Sequence, residues 1–437
     1  MALRPPEPLE RLLNDALADT PPGRSIWVAL SGGLDSSLLL LLASRVCRPA
    51  GRTLQAIHVH HGLQGAADDF AAHCQALCKA LEVPLSVVHV SVESAGESLE
   101  AAAREARYAA FCAHVPEGDV IWLAQHQDDQ AETLLLAALR GSGIRGLAGM
   151  PYRRVSEGRH FIRPWLSAGR TQLEACARAL ELSWCEDPTN RDLAFDRNRL
   201  RHEVMPALKA RWPQACEALA QSAAYAGEAD TLLGEYASAE LASLRLGSEY
   251  LDAEALLARS LPRQRLLVRT FCQTLHLPTP PRRRLEALLA QLNAAADAGV
   301  RVAWPGAEAR VWRQRLYLLA PLAPVTAWES SWDGQPGLAT PLGELALGMN
   351  ASTPLTLRWR QGGEVIALAR RGRRDVKRLL QEAGIPPWER ERLMVIMQGE
   401  ACLGVIQPPA RVLWQAAGVV IARATSQPYR SPARRSE

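Results

Sequence analysis

The chain reads as an α/β protein: a parallel sheet with helices on both faces, followed by a helical arm and two smaller C-terminal α/β or α+β domains. Three observations predict this. Short apolar runs of strand length alternate with helix-period segments through the first half of the sequence. The first such run ends in a tight loop of small residues that opens a helix. The pattern then shifts twice, to helices rich in alanine and leucine from residue 206 and to mixed helix and strand from about residue 246.

In chain order, the spacing predicts a short helix over Leu9–Leu17, ended by Pro21-Pro22-Gly23, and a buried strand over Ile26–Leu30. Leucines 38–42 begin a helix. Leu54–Val59 is a second strand ending in His60-His61-Gly62, Asp68–Leu81 a helix, and Leu85–Val90 a third strand. A helix over Ser98–His114 carries Arg104, Arg107 and Tyr108. Val120–Ala124 is a fourth strand, followed by Gln125-His126-Gln127-Asp128-Asp129 and a helix to Leu139. Ile162–Trp165 resumes the sheet, and Thr171–Glu181 is a helix. Arg310–Leu319 reads as a strand, and residues 320–354, rich in Pro, Gly, Ser and Thr, as a linker with short strands. The basic tail from Ser426 reads as disordered.

At 437 residues with 48% hydrophobic side chains, the chain is long enough for roughly two or three domains with real cores. No apolar run reaches the ~18 residues that span a bilayer, and the N-terminus lacks the apolar stretch of a secretory signal. A cytoplasmic protein without a membrane partner is expected. The nine cysteines are scattered and form no CxxC pair, which argues against a disulfide framework and a zinc knuckle. The net charge of +4 is too small to argue nucleic-acid binding by itself. Local clusters say more: Arg197, Arg199 and Arg201; Arg282–Arg284; and six basic residues against one acid from Arg370 to Arg378. Each suits phosphate contact, and each is also an ordinary solvated face.

The loop Ser31-Gly32-Gly33-Leu34-Asp35-Ser36-Ser37 is the centre of the candidate site. Its glycines let the backbone turn sharply and approach a ligand. Ser36 or Ser37 is expected to cap the following helix, whose free N–H groups suit an anion. The loop is neither GxxxxGK[ST] nor GxGxxG. In open parallel sheets, ligands bind at the C-terminal ends of strands. The loop, His60-His61 and His126-Asp128-Asp129 all follow strands and should share one crevice. Asp128, Asp129 and Glu132 lie at helical spacing on one face, so they should meet a cation, either a metal ion or a substrate ammonium. His60, His61 and His126 are open between metal ligation and hydrogen bonding, the second being the commoner use. Arg140-Gly141-Ser142-Gly143 suits a phosphate contact or a plain helix end.

The loop resembles the SGGxDS pyrophosphate loop of the PP-loop ATP pyrophosphatases. HVHHGL, ESLEAAAREARYAAF, AQHQDDQAETLLLAALRGSGIRGLAGM, IRPWL and EDPTNRDLAFDRNRLRHEVMPAL extend the likeness, in family order, from Ser31 to Leu208. RWRQGGE and QEAGIPPWER extend it to the C-terminal region. Together these identify the chain as resembling the tRNA(Ile)-lysidine synthetase family. Trp165 departs from the usual leucine there and should alter packing only.

The resemblance implies an adenine nucleotide alpha hydrolase-like PP-loop catalytic domain over residues 1–205. It implies a helical arm with a first tRNA-binding domain over 206–330, and a second over 350–425. It implies ATP and Mg2+, an isoleucine tRNA with a CAU anticodon and free L-lysine as partners, and it permits a homodimer. The implied reaction ligates lysine to the wobble cytidine through adenylation of the cytosine 2-oxygen, releasing AMP and pyrophosphate. On that footing Ser31–Ser37 and His60 bind ATP, and Asp35 holds the metal. Asp128, Asp129 and Glu132 serve catalysis with Asp35, with Asp129 and Glu132 receiving the lysine amine. Arg104, Arg107, Arg140, Ser142, Arg197 and Arg201 contact phosphate or substrate. A PP-loop cytidine thiolase would use reactive cysteines, usually in CxxC. A non-catalytic tRNA-binding protein would need no acid cluster.

Overall fold

The computed structural model describes residues 6–62, 67–91, 99–292, 299–351 and 353–423. The expected helix start at Ser98 and the tail from Ser426 lie outside these residues. The chain divides into two compact units, Met1–Tyr236 and Ala237–Glu437.

The first unit is built on a six-stranded sheet. Its elements are α1 (Glu7–Ala18), β1 (Ile26–Ala29), α2 (Leu34–Cys47), β2 (Leu54–His60), α3 (Ala67–Ala80), β3 (Leu85–His89), α4 (Leu99–His114) and β4 (Val120–Trp122). These are followed by α5 (Gln127–Leu139), α6 (Ile144–Leu147), β5 (Arg153–Ser156), β6 (Arg159–Ile162), α7 (Arg170–Ala179), α8 (Asp196–Arg199), α9 (Met205–Arg211) and the part of α10 (Ala215–Leu244) up to Tyr236. The strand order is β3-β2-β1-β4-β6-β5, parallel except for the edge hairpin of β5 with β6. Apolar side chains leave β1 on both faces, as a doubly covered strand requires. Ile26 and Val28 enter a core with α1, α2, α3 and α7, and Trp27 enters a second core with α4. Leucine-rich α2 is buried nearly all round, which explains its lack of a polar face.

Several sequence expectations need correction. The helix after the loop starts at Leu34, with Gly33 as its N-cap and no side-chain cap. Ser36 and Ser37 therefore lie inside the first turn. The strand expected over Ile162–Trp165 ends at Ile162, because Pro164 has no N–H to give a ladder. Its hairpin partner β5 was not anticipated. Trp165 is fully buried in the α1/α2/α7 core and donates from Nε1 to the Leu9 carbonyl at 3.4 Å.

The second unit holds an antiparallel four-stranded sheet packed with helices Leu261–Thr274 and Arg282–Gln291. It also holds a separate seven-stranded sheet with helix Val376–Glu382. The run expected as one strand, Arg310–Leu319, is a hairpin instead. Its strands, Ala307–Trp312 and Arg315–Leu319, turn through Arg313 and Gln314 at φ 47° and 57°.

Candidate active site

The sheet reverses its winding at β1, which pairs with β2 on one side and β4 on the other. A crevice opens at the C-terminal ends of strands at such a switch point. The small-residue loop leaves β1 there, and His126 and the acids of α5 leave β4.

The loop is held by its own hydroxyls. Ser36 Oγ accepts from the Ser31 N–H at 3.1 Å, lies 2.9 Å from Ser31 Oγ and donates to the Gly33 carbonyl. Gly32 sits at φ 89°, where a Cβ would come within 3.1 Å of the Phe70 ring and 3.3 Å of Cys74 Sγ. Glycine is required there both by conformation and by space. The Gly32 carbonyl accepts from the Cys185 N–H at 2.9 Å, so the segment after α7 straps the loop from outside. Ser37 Oγ and Asp35 Oδ1 are buried without a hydrogen-bond partner.

Across from the loop, buried His126 is the N-cap of α5, and its N–H donates to Asp129 Oδ2 at 3.0 Å. His126 Nε2 lies 3.8 Å from Asp35 Oδ2 and 3.5 Å from Asp129 Oδ2. The loop and the acids thus meet at one imidazole. Arg170 Nη1 reaches Asp35 Oδ2 at 3.4 Å. Burial lifts the Asp35 carboxyl above the ordinary range, against the pull of His126 and Arg170.

The acids are already in contact with cations of the chain itself. Glu132 accepts from Arg197 Nε and Arg201 Nε, both at 2.8 Å. Asp129 Oδ1 accepts from Arg197 Nη2 at 3.2 Å and Arg201 Nη2 at 3.1 Å. Burial would raise Asp129, but His126, Arg197 and Arg201 together hold it below its usual range. Asp128 turns instead to the Lys209 ammonium at 2.6 Å, the Cys216 thiol at 3.2 Å and the Arg170 N–H at 2.9 Å. These outweigh burial and bring Asp128 down to about 2. Ala131, Met205 and Cys216 pack together beneath, fixing α5 against α9 and α10.

The remaining expected residues separate. His60 Nε2 lies 3.1 Å from Asp68 and its ring 4.6 Å from that of His89. His61 is pushed down to about 4 by burial and by Arg107, so it is neutral at pH 7. Arg104 turns to Tyr108. Arg140 and Ser142 lie past the far end of α5, about 18 Å along the helix from Asp128. Among the described residues no cluster of three or more His, Cys, Asp or Glu side chains could hold a metal ion. Sequence reasoning missed Arg170, Lys209, Cys185 and Cys216. Arg170 did leave a signal: an arginine in the first turn of a helix opposes the helix dipole and needs an acid to justify it.

Comparison with known proteins agrees with this architecture. Residues 6–208 match a family model described as a PP-loop domain. Residues 251–317 match the TilS substrate binding domain, and 355–418 the TilS substrate C-terminal domain. The tRNA(Ile)-lysidine synthase of Xanthomonas axonopodis pv. citri is 46% identical over 398 residues, covering 89% of this chain and 90% of that one. That of Pseudomonas aeruginosa is 44% identical over 420 residues, covering 93% and 94%. That of Alkalilimnicola ehrlichii is 40% identical over 417 residues, covering 92% and 93%. With a phosphate-type loop and an acid cluster joined at one histidine, and relatives matched over nearly their full length, the chain belongs to the tRNA(Ile)-lysidine synthase family.

Proposed function

We propose that this site ligates free lysine to the wobble cytidine of an isoleucine tRNA with a CAU anticodon, consuming ATP and releasing AMP and pyrophosphate. The observation that carries the reading is the meeting of the Ser31–Ser37 loop and the Asp129/Glu132 pair across His126. One centre must hold a departing diphosphate and the other an incoming amine, and the two must be within reach of each other.

The backbone N–H groups at the start of α2 face the phosphates, where developing negative charge is best stabilised. Asp35 Oδ1, buried and without a partner beside this loop, fits a hard divalent cation, and Asp35 would hold magnesium. Such an ion, when bound, neutralises charge on the leaving pyrophosphate. The cytosine 2-oxygen attacks the α-phosphorus and pyrophosphate leaves. The lysine amine then attacks C2 of the base, the C2–O bond breaks and AMP departs. Asp129 and Glu132 read the lysine ammonium and accept its proton. In doing so they exchange it for the guanidinium groups of Arg197 and Arg201, which free those arginines for phosphate or carboxylate. Asp128 acts by holding α5 in place. Arg107, whose charge reaches His61 and His58 at the end of β2, holds a nucleotide phosphate or the lysine carboxylate.

We assign catalysis to residues 1–205 and tRNA binding to 206–330 and 350–425, in a cytoplasmic enzyme. No helix among the described residues is long and apolar enough to cross a membrane. A homodimer is proposed alongside, and light scattering would read it as twice the chain mass. A thiolase reading is disfavoured by the thiols of the catalytic unit. Burial pushes Cys74 up to about 12 and Cys78 to about 11, far from the thiolate that sulfur transfer needs.

The test is incubation with ATP, radiolabelled lysine and an isoleucine tRNA transcript, followed by nucleoside analysis. Label in a single modified cytidine, with equal AMP, supports the reading. Label absent from the nucleosides, with ATP still bound, overturns it.

A further inference from the structure

The catalytic unit carries a second concentration of charge, and it is wholly basic. Arg163 immediately follows β6 and is 1% exposed. Its Nη1 donates to the Pro151 carbonyl at 2.7 Å and its Nη2 to the Tyr108 hydroxyl at 3.4 Å. Its Nε is buried with no partner. The guanidinium of Arg104 lies 5.0 Å from the centre of the Tyr108 ring and donates to the same hydroxyl at 3.5 Å. That of Arg154 lies 5.9 Å from the ring centre. Among the described residues none of the three has a carboxylate within ion-pair distance.

Acids elsewhere among the described residues have cations of the chain beside them. Glu132, Glu240 and Glu308 each sit between two arginines. A buried guanidinium without an anion is costly. Burial lowers the Arg163 pKa, and Arg104 and Arg154 add to that against the pull of Tyr108. The cluster has donors and charge for an anion that the chain does not itself provide.

Its place in the fold says which anion. The Leu123 N–H donates to the Ile162 carbonyl, so Arg163 stands beside the stretch that leads from β4 to His126. Arg154 pairs with Phe161 across the hairpin, which turns it to the α4 side of the sheet. The cluster therefore lies at the same sheet end as the Ser31–Ser37 loop, two strand spacings from β1 or about 10 Å. That is too far to share the ATP phosphates held by the loop and near enough to reach the strand whose base is presented to them.

We propose that Arg104, Arg154 and Arg163, gathered round Tyr108, form a second anion site that holds a backbone phosphate of the tRNA beside the nucleotide being modified. The site rests on the ligase reading for the identity of its ligand. Guanidinium forks match phosphate oxygens two at a time. A phosphate contact positions the nucleic acid without reading its sequence, which is what a wobble base presented to ATP requires.

The test uses Arg104→Ala, Arg154→Ala and the double variant in the full-length protein, both positions being exposed, with Arg154→Lys as the conservative control. Circular dichroism checks folding. The dissociation constant of isoleucine tRNA is measured against salt, and that of ATP alongside. The double variant should bind tRNA about tenfold more weakly at 0.1 M salt. Its plot of log affinity against log salt should be shallower by about 0.7–0.9 for each lost contact. For Arg154→Ala, ATP affinity should not change, and the KM for tRNA should rise with kcat held. Arg154→Lys should recover part of the slope. An unchanged affinity and slope would overturn the site. So would a loss of ATP affinity matching the loss for tRNA, which would give the cluster to the nucleotide. A lost slope in a protein that forms no lysidine would keep the site and sink the ligase reading. An unchanged slope in one that does form lysidine would sink the site alone.

Discussion

Asp35 and Asp128 are both acids in the first turns of helices, and their surroundings drive them in opposite directions. Asp35 has an oxygen without a partner and is lifted by burial. Asp35→Ala should abolish pyrophosphate release while leaving the fold intact; release at the parent rate would reject its role. Asp128 has a full set of donors and is held at about 2. Its folded pKa lies below the unfolded value, near 3.9. Its contribution is therefore complete above pH 4 and fades as pH falls towards 2. A drop of nearly two pKa units corresponds to about 2–3 kcal/mol. Lys209→Met should lower stability at pH 7 by about that amount and flatten the loss between pH 4 and 2. Urea unfolding at both pH values measures this. The acids themselves were legible, since Asp128, Asp129 and Glu132 follow an apolar strand at helical spacing. Their partners were not: Lys209 lies 81 residues from Asp128, and no local pattern announces such a pair.

At the scale of elements, the same contrast separates two hairpins. The β5–β6 turn is Glu157-Gly158, at φ 47° and 74°. A glycine in a two-residue turn between apolar-containing runs is a readable signal of a hairpin. The Arg313-Gln314 turn takes the same left-handed geometry with no glycine at all, so nothing in its sequence marks it. Those side chains bear a conformational penalty that glycine would not. Gln314→Gly should raise the stability of the second unit by about 0.5–1 kcal/mol. Calorimetry of the two proteins tests this, and an unchanged or lower midpoint would count against it. The parallel strands of the first unit were readable because they are short apolar runs, and its helices because their apolar residues recur at helical spacing. The strand expected to continue through Trp165 misled because apolar Pro164-Trp165 is core, packed beneath the sheet rather than in it.

For the whole molecule, family models cover a PP-loop portion and two later portions of the chain. Removing residues 350–437 should weaken tRNA binding and leave ATP binding unchanged. Filter binding and a fluorescent nucleotide read the two separately; equal tRNA affinity would reject the division of labour. The bond from the Cys185 N–H to the Gly32 carbonyl has a consequence for biosynthesis. The glycine turn is synthesised before Cys185, and its outer clasp is made only when that residue, more than a hundred positions later, has emerged. A growing polypeptide that has not reached Cys185 carries this loop without its outer hydrogen bond. On the proposed function, nucleotide held by that turn is thus a report that translation has passed Cys185.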